Sequence, residues 1–177
     1  MVLAWELAAG MVLCLSVATD LARRVIYNWI TFPAMVLGLI LGALSGGWAG
    51  ANWSLLGLVV GGGLLLLPFL AGALGGGDVK LLAALGALGG PVFALKAMVY
   101  ACLAGGVLAL AIMTHTGNLG PGLLFLRDSL ASLLLPGRKA ARPEPLGLPG
   151  IPFAVCLLAG SLASRFLDFL APLLRLP

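Results

Sequence analysis

The fold turns on the stretch Gly75-Gly76-Gly77-Asp78-Val79-Lys80-Leu81-Leu82-Ala83-Ala84-Leu85-Gly86-Ala87-Leu88-Gly89-Gly90-Pro91. Three glycines lead into an acid, an apolar run follows, and Gly-Gly-Pro stops it. As a helix, residues 79–89 rise only about 17 Å, whereas a bilayer core of about 30 Å needs about 20 residues to cross. This run is too short to cross alone. If it joins the two leaflets, Asp78 stands below the membrane surface or beside a water-filled dent.

Longer apolar runs lie on either side, over residues 3–19, 29–46, 54–74, 91–114 and 148–170. Of the 177 residues 62% are hydrophobic and a further 26 are glycine, with a mean hydropathy of +1.16, far above the roughly 45–50% apolar content of a soluble domain. The expected fold is an all-α integral membrane protein: a single domain over residues 1–177, built as a polytopic bundle of about six transmembrane helices, one of them short. The net charge of +4 is spread over short loops with no dense basic run, which argues against a nucleic-acid partner. Cys14, Cys102 and Cys156 sit in apolar stretches without a CxxC pair, so neither a zinc ribbon nor a disulfide framework is expected. The first residues carry Glu6 and no basic leader, and read as a retained first span.

Alternating spans put the loops around residues 20–28, 75–80 and 115–147 on one side. That side holds Arg23, Arg24, Lys80, Arg127, Arg138, Lys139 and Arg142, against Lys96, Arg165 and Arg175 on the other. The positive-inside rule makes the richer side cytoplasmic and places both termini outside. Within the long loop, the leucines from Leu123 to Leu135, interleaved with Arg127, Asp128, Ser129 and Ser132, read as an interfacial helix, and residues 138–149 as a linker.

Of the six acids, Glu6, Asp128, Glu144 and Asp168 fall near span ends or in loops, where solvation accounts for them. Asp20 and Asp78 each mark a membrane boundary on the predicted cytoplasmic side. Ionisable groups at such depth are costly and pair or mark a site. Gly75, Gly76 and Gly77 supply main chain that comes close to a bound peptide. A phosphate loop is excluded because Gly77 is followed by Asp78-Val79-Lys80 rather than Lys-Ser/Thr. The bland alternative is that Asp78 caps the helix that follows it. Paired carboxylates suit peptide hydrolysis, since close like charges disfavour double ionisation and leave one acid and one base. The base would take a proton from water attacking the scissile carbonyl, and the acid would donate to the developing oxyanion. His115 has no second metal-type ligand near it in sequence, so catalysis without metal or cofactor is expected.

These residues carry a resemblance. Gly75-Gly76-Gly77-Asp78-Val79-Lys80-Leu81 is similar to the GxGD motif, followed by an apolar residue and lysine, of the type IV prepilin peptidases. Asp20, followed by Ile26, Asn28, Trp29, Thr31 and Pro33, resembles that family's first motif, with Tyr27 where proline is usual. Pro149-Gly150-Ile151-Pro152-Phe153-Ala154 is a weaker third likeness. The resemblance implies an aspartic endopeptidase of the bacterial inner membrane, with Asp20 and Asp78 catalytic on the cytoplasmic side. Gly75, Gly76, Gly77, Lys80 and Asn28 would then lie in the loop and substrate-binding region. It implies a prepilin or pseudopilin substrate whose short basic leader is removed at the membrane boundary. The lack of CxxC pairs points to the compact form without N-methyltransferase activity, as found with Tad/Flp-type pili. Outside enzymes, the competing reading is a proton- or ion-coupled transporter using the same two aspartates, although no half-repeat accompanies them. A presenilin-like relative would carry a Pro-Ala-Leu motif, which this chain lacks.

Overall fold

A computed structural model describes residues 2–70, 74–117 and 152–174, together with Gly120 and Leu124. The described residues are helical and contain no strand: α1 (Val2–Arg23), α2 (Asn28–Leu70), α3 (Gly76–His115) and α4 (Phe153–Leu174). They fall into two compact units, one of residues 1–104 with 152–177 and the other of residues 105–151. In the second unit the described chain is the last part of α3, closed by a turn in which Thr116 N–H donates to the Ile112 carbonyl at 2.9 Å and Gly117 takes a positive φ of 71°. The expected interfacial helix lies, Leu124 apart, outside the described residues.

Helix α2, with 43 residues, and α3, with 40, are each apolar and long enough to cross a membrane, as is residues 4–23 of α1. Neither long helix is continuous. Gly46 (φ −138°, ψ 17°) and Gly47 (φ 56°, ψ −136°) interrupt α2, giving residues 28–45 (α2a) and 48–70 (α2b). A Cβ on Gly42 would meet the Ser54 hydroxyl and the Gly50 carbonyl, so the chain doubles back and the two halves lie against each other. Helix α3 breaks at Gly90 (φ 82°, ψ 174°), a conformation open essentially to glycine. Pro91 follows, with no N–H to continue the helix and a fixed φ suited to starting a new one. The resulting halves are residues 76–89 (α3a) and 91–115 (α3b). The break in α3 falls at the expected Gly89-Gly90-Pro91 stop, and that in α2 at the end of the apolar run over residues 29–46.

Short α3a is the centre of the first unit. Every residue from Leu81 to Leu88 is buried, as befits a helix that is apolar all round. Glycine makes this possible by letting main chain meet main chain. Gly57 on α2b and Gly86 on α3a each face the other's carbonyl, Gly61 faces that of Leu82, and Gly38 on α2a faces the Ala87–Leu88 peptide. Helix α1 packs against α2 and α4. Gly160 of α4 lies against Ala97 and Ala101 of α3b.

Adding a side chain at this joint requires backbone to move. We expect Gly86→Val to cost about 1–3 kcal/mol or more, read as a lowered melting temperature in detergent. Gly63→Ala, where nothing lies within 4 Å of the added carbon, should be neutral or stabilise by up to about 1 kcal/mol.

Candidate active site

Helix α1 continues to Arg23, beyond the predicted end at residue 19, so Asp20 lies within its last turn. The helix closes at Arg24, whose N–H donates to the Asp20 carbonyl at 2.9 Å and whose φ of 55° is left-handed. This is the helix-ending conformation usually left to glycine. Residues 25–27 then lead into α2, where the Tyr27 carbonyl accepts the Ile30 N–H at 3.1 Å. The Tyr27 hydroxyl accepts from the Arg23 guanidinium at 3.1 Å, and its ring lies 6.2 Å from that of Trp29. Where proline would stiffen this approach, the tyrosine is tied to both helices instead.

The Asp20 side chain is 8% exposed. Its Oδ2 accepts the Ala154 N–H at 3.2 Å. Ala154 belongs to the first turn of α4, where main-chain donors have no partner within the helix and the macrodipole favours an anion. Sequence reasoning gave the Pro149–Ala154 stretch little weight. Its end supplies the amide that holds Asp20, while residues 149–151 lie outside the described residues.

Asp78 sits in the first turn of α3, which begins at Gly76, three residues before the predicted start. Its N–H donates to the Gly75 carbonyl at 3.1 Å, and its Oδ2 accepts the Gly75 N–H at 3.2 Å. That is one half of a capping box, with the acid at the third helical position reaching back to the capping residue. The capping role weighed for Asp78 is therefore real, and it engages one carboxylate oxygen. Asp78 is half-buried, and Asp20 lies within electrostatic reach of it. The two aspartates singled out by sequence stand at the same end of the unit.

Their two segments interlock. A Cβ on Gly77 would lie 2.9 Å from the Ile26 Cβ, so Gly77 lets the loop after α1 rest on the start of α3. Gly76 faces the Phe69 ring. Lys80 Nζ donates to Asn28 Oδ1 at 2.9 Å and lies 5.6 Å from the centroid of the Phe32 ring. Lys80 and Asn28 thus tie the helix bearing Asp78 to the loop that follows Asp20. Among the described residues, no group of three His, Cys, Asp or Glu side chains is placed to hold a metal ion.

Glu6 and Arg165, read from sequence as boundary charges, are instead paired at 3.0 Å at the opposite end of α1 and α4. The Arg165 guanidinium lies 3.9 Å from the centroid of the Trp5 ring and 5.0 Å from that of Phe93.

Comparison with curated proteins and with solved structures gives no match. The sequence profile of the type IV leader peptidase family matches residues 7–110, more than half of the chain. The matched stretch contains Asp20, Asn28 and the whole of Gly75–Lys80. A family of this kind implies peptide hydrolysis on prepilin-type substrates. With the profile spanning both segments that the fold interlocks, this chain belongs to the type IV leader peptidase family.

Proposed function

We propose that the protein is a membrane-embedded aspartic endopeptidase, which removes the short basic leader of a type IV prepilin or pseudopilin at the cytoplasmic boundary of a bacterial inner membrane. The observation that carries this reading is the approach of Asp20 and Asp78 at one end of the unit, with one oxygen of each engaged by a main-chain amide. In this reading the second oxygen of each carboxylate is the one that exchanges protons with water and substrate. One carboxylate takes the proton of a water attacking the scissile carbonyl, and the other carboxyl donates to the oxyanion. The family match supports a peptidase over a transporter built on the same aspartates.

Helical runs over residues 2–23, 28–45, 48–70, 76–89, 91–115 and 153–174 support six crossings, with the α3a crossing short. With six crossings, the aspartate end would share a side with the loops whose sequence is rich in Lys and Arg. The leader would lie there, its cationic residues drawn to the paired carboxylates. Gly75, exposed beside the Asp78 carboxylate, leaves room for an extended substrate backbone, whereas the space at Gly76 and Gly77 is taken by Phe69 and Ile26. The absence of CxxC pairs from the sequence supports the form without N-methyltransferase activity, the one associated with Tad/Flp-type pili.

Cleavage of a candidate prepilin by the purified protein in lipid, followed on a gel, tests the reading. Asp20→Asn and Asp78→Asn should each lower turnover by about 10²–10⁴-fold or more while leaving the protein folded in the membrane. Persistent cleavage by either variant would remove that residue from the mechanism.

Lys80 and Asn28 act as positioning residues in this scheme. Lys80→Met and Asn28→Ala should each slow turnover by about fivefold, the equivalent of one net hydrogen bond of about 1 kcal/mol. The double variant should be no slower than either single one, so that a double-mutant cycle on the cleavage rate shows the coupling. Additive losses would mean that the two side chains act separately.

A further inference from the structure

The short helix α3a is level with its neighbours at one end and recessed at the other. Gly77 faces Ile26, just before α2a begins, and Gly76 faces Phe69, just before α2b ends. At the aspartate end the three helices therefore finish together. Towards the other end, Gly38 of α2a lies against Ala87 and Leu88, and Gly57 of α2b lies against Gly86. That register sets Gly89, the last residue of α3a, level with residues 39–40 of α2a and with residue 54 of α2b. Both halves of α2 run on for about six more residues to the Gly46–Gly47 turn, about 8–9 Å at roughly 1.5 Å per residue. The missing length of α3a thus falls at the end away from Asp20 and Asp78.

The recess is open space. A cavity of about 250 Å³ occupies it, with Gly89 and Gly90 as its floor and Ser45 of α2a, Trp53 and Ser54 of α2b and Trp5 of α1 in its walls. A Cβ on either of two lining glycines would meet a polar atom first, Trp53 Nε1 at Gly90 and the Ser54 hydroxyl at Gly42. Ser54 is 5% exposed and makes no hydrogen bond to another described residue. The Ser45 hydroxyl donates to the Gly42 carbonyl at 3.1 Å. Among the described residues no acid or base lines the cavity, so nothing in it would offset the desolvation of a bare ion. Its walls join apolar surface, from Leu41, Leu88 and the two indole rings, to hydroxyl and indole N–H groups. Indoles with this mixed character settle at membrane interfaces. Leu44, Trp48 and Val92, exposed around the same end, carry the apolar surface outwards.

We propose that this recess is a lipid site, which seats the glycerol-ester region of one phospholipid from the leaflet at the Gly46–Gly47 end. Ester carbonyls accept hydrogen bonds and carry no charge, which matches hydroxyl and indole donors in a wall without charged side chains. The interfacial layer on each side of the hydrocarbon core is about 5–8 Å thick, so a recess of about 8–9 Å lowers one lipid by about its own headgroup layer. The cavity is a little smaller than the roughly 300–1,000 Å³ of small-molecule sites, as fits a ligand whose chains stay outside. The bilayer is thereby thinned over α3a, and a helix too short to cross alone meets lipid polar groups at the end away from the aspartates. The position of the recess within the bilayer rests on the six crossings proposed above. Its depth below α2 does not.

Solid-state NMR on the protein in vesicles of chain-deuterated phosphatidylcholine tests the site, because the glycerol and headgroup then hold the lipid's protons. Magnetisation from them should reach the Cβ of Ser54 and the Cα of Gly89 at least as fast as magnetisation from water. It should not reach Ser16, which is 0% exposed. Vesicles of chain-deuterated phosphatidylglycerol should give the same rates. Transfer from water alone, or from neither source, overturns the proposal, as does transfer that requires the anionic lipid. Ser45→Phe, at an exposed position on the wall, should cut lipid transfer to Ser54 by about fivefold or more with an unchanged melting temperature. Undiminished transfer in that folded variant would bring lipid to Ser54 by another route and overturn the recess as the site. If Ser45→Phe does not fold, the lipid and water rates in the parent still decide. In vesicles with protonated chains, acyl magnetisation should reach Leu37 and Val59, exposed near the middle of α2a and α2b. Its absence overturns the six crossings and the site with them, whereas its presence with a silent Ser54 overturns the site alone. No step measures cleavage, so failure of the peptidase reading leaves the result standing.

Discussion

The close approach of α3a to both halves of α2 is the contact on which the rest of the first unit depends. A helix of fourteen residues, 76–89, cannot be stabilised by length or by an amphipathic face, because its apolar stretch, residues 81–88, is buried on every side. Its partners must come near enough to exclude lipid and water together, and only glycine permits that distance. Gly57 against Gly86, Gly61 against Leu82 and Gly38 against Ala87 form that joint. Dispersion between closely packed main chains replaces the interdigitated side chains of an ordinary core. Once α3a is held, the position of its first turn is held too, and Asp78 with it.

The two candidate carboxylates are secured by the same device used in two directions. Asp20 reaches across from the end of α1 to an amide in the first turn of α4, and Asp78 reaches back to the amide that precedes its own helix. Helix starts offer free N–H groups wherever they occur, so neither contact needs a basic side chain beside the acid. Lys80, the nearest cation in the motif, is instead engaged with Asn28. It closes the gap between the segments and does not neutralise either acid by direct pairing.

Much of this was legible in the sequence, for reasons that differ by residue. Gly89-Gly90-Pro91 marked the break in α3 because glycine frees the backbone and proline fixes it through their own covalent structure, independent of tertiary context, while the interruption at Gly46-Gly47 was legible only as the end of the apolar run over residues 29–46. Asp20 and Asp78 stood out because a charge inside an apolar sequence has few structural explanations. The amide of Ala154 was invisible, since a main-chain donor has no side-chain signature and lies 134 positions from its acceptor. The Glu6–Arg165 pair was hidden for a similar reason: two boundary charges on separate spans look solvated until the register of α1 on α4 brings them together. The helix ends moved by three or four residues because they are decided by hydrogen bonds at Arg24 and Gly75 rather than by hydropathy.

The joint between Gly57 and Gly86 also determines what the surrounding lipid can change. Side chains at a helix interface can change rotamer and let one helix slide on another, but carbonyls and α-carbons in contact have no rotamers to change. Bilayers differ in thickness, and single spans respond by tilting or shifting along the normal. A short helix locked to its neighbour by main chain has to follow that neighbour. The depth of Asp78 is therefore measured from α2b and not from the lipid headgroups, so a thicker or thinner membrane moves the whole unit and leaves the internal position of its carboxylate unchanged.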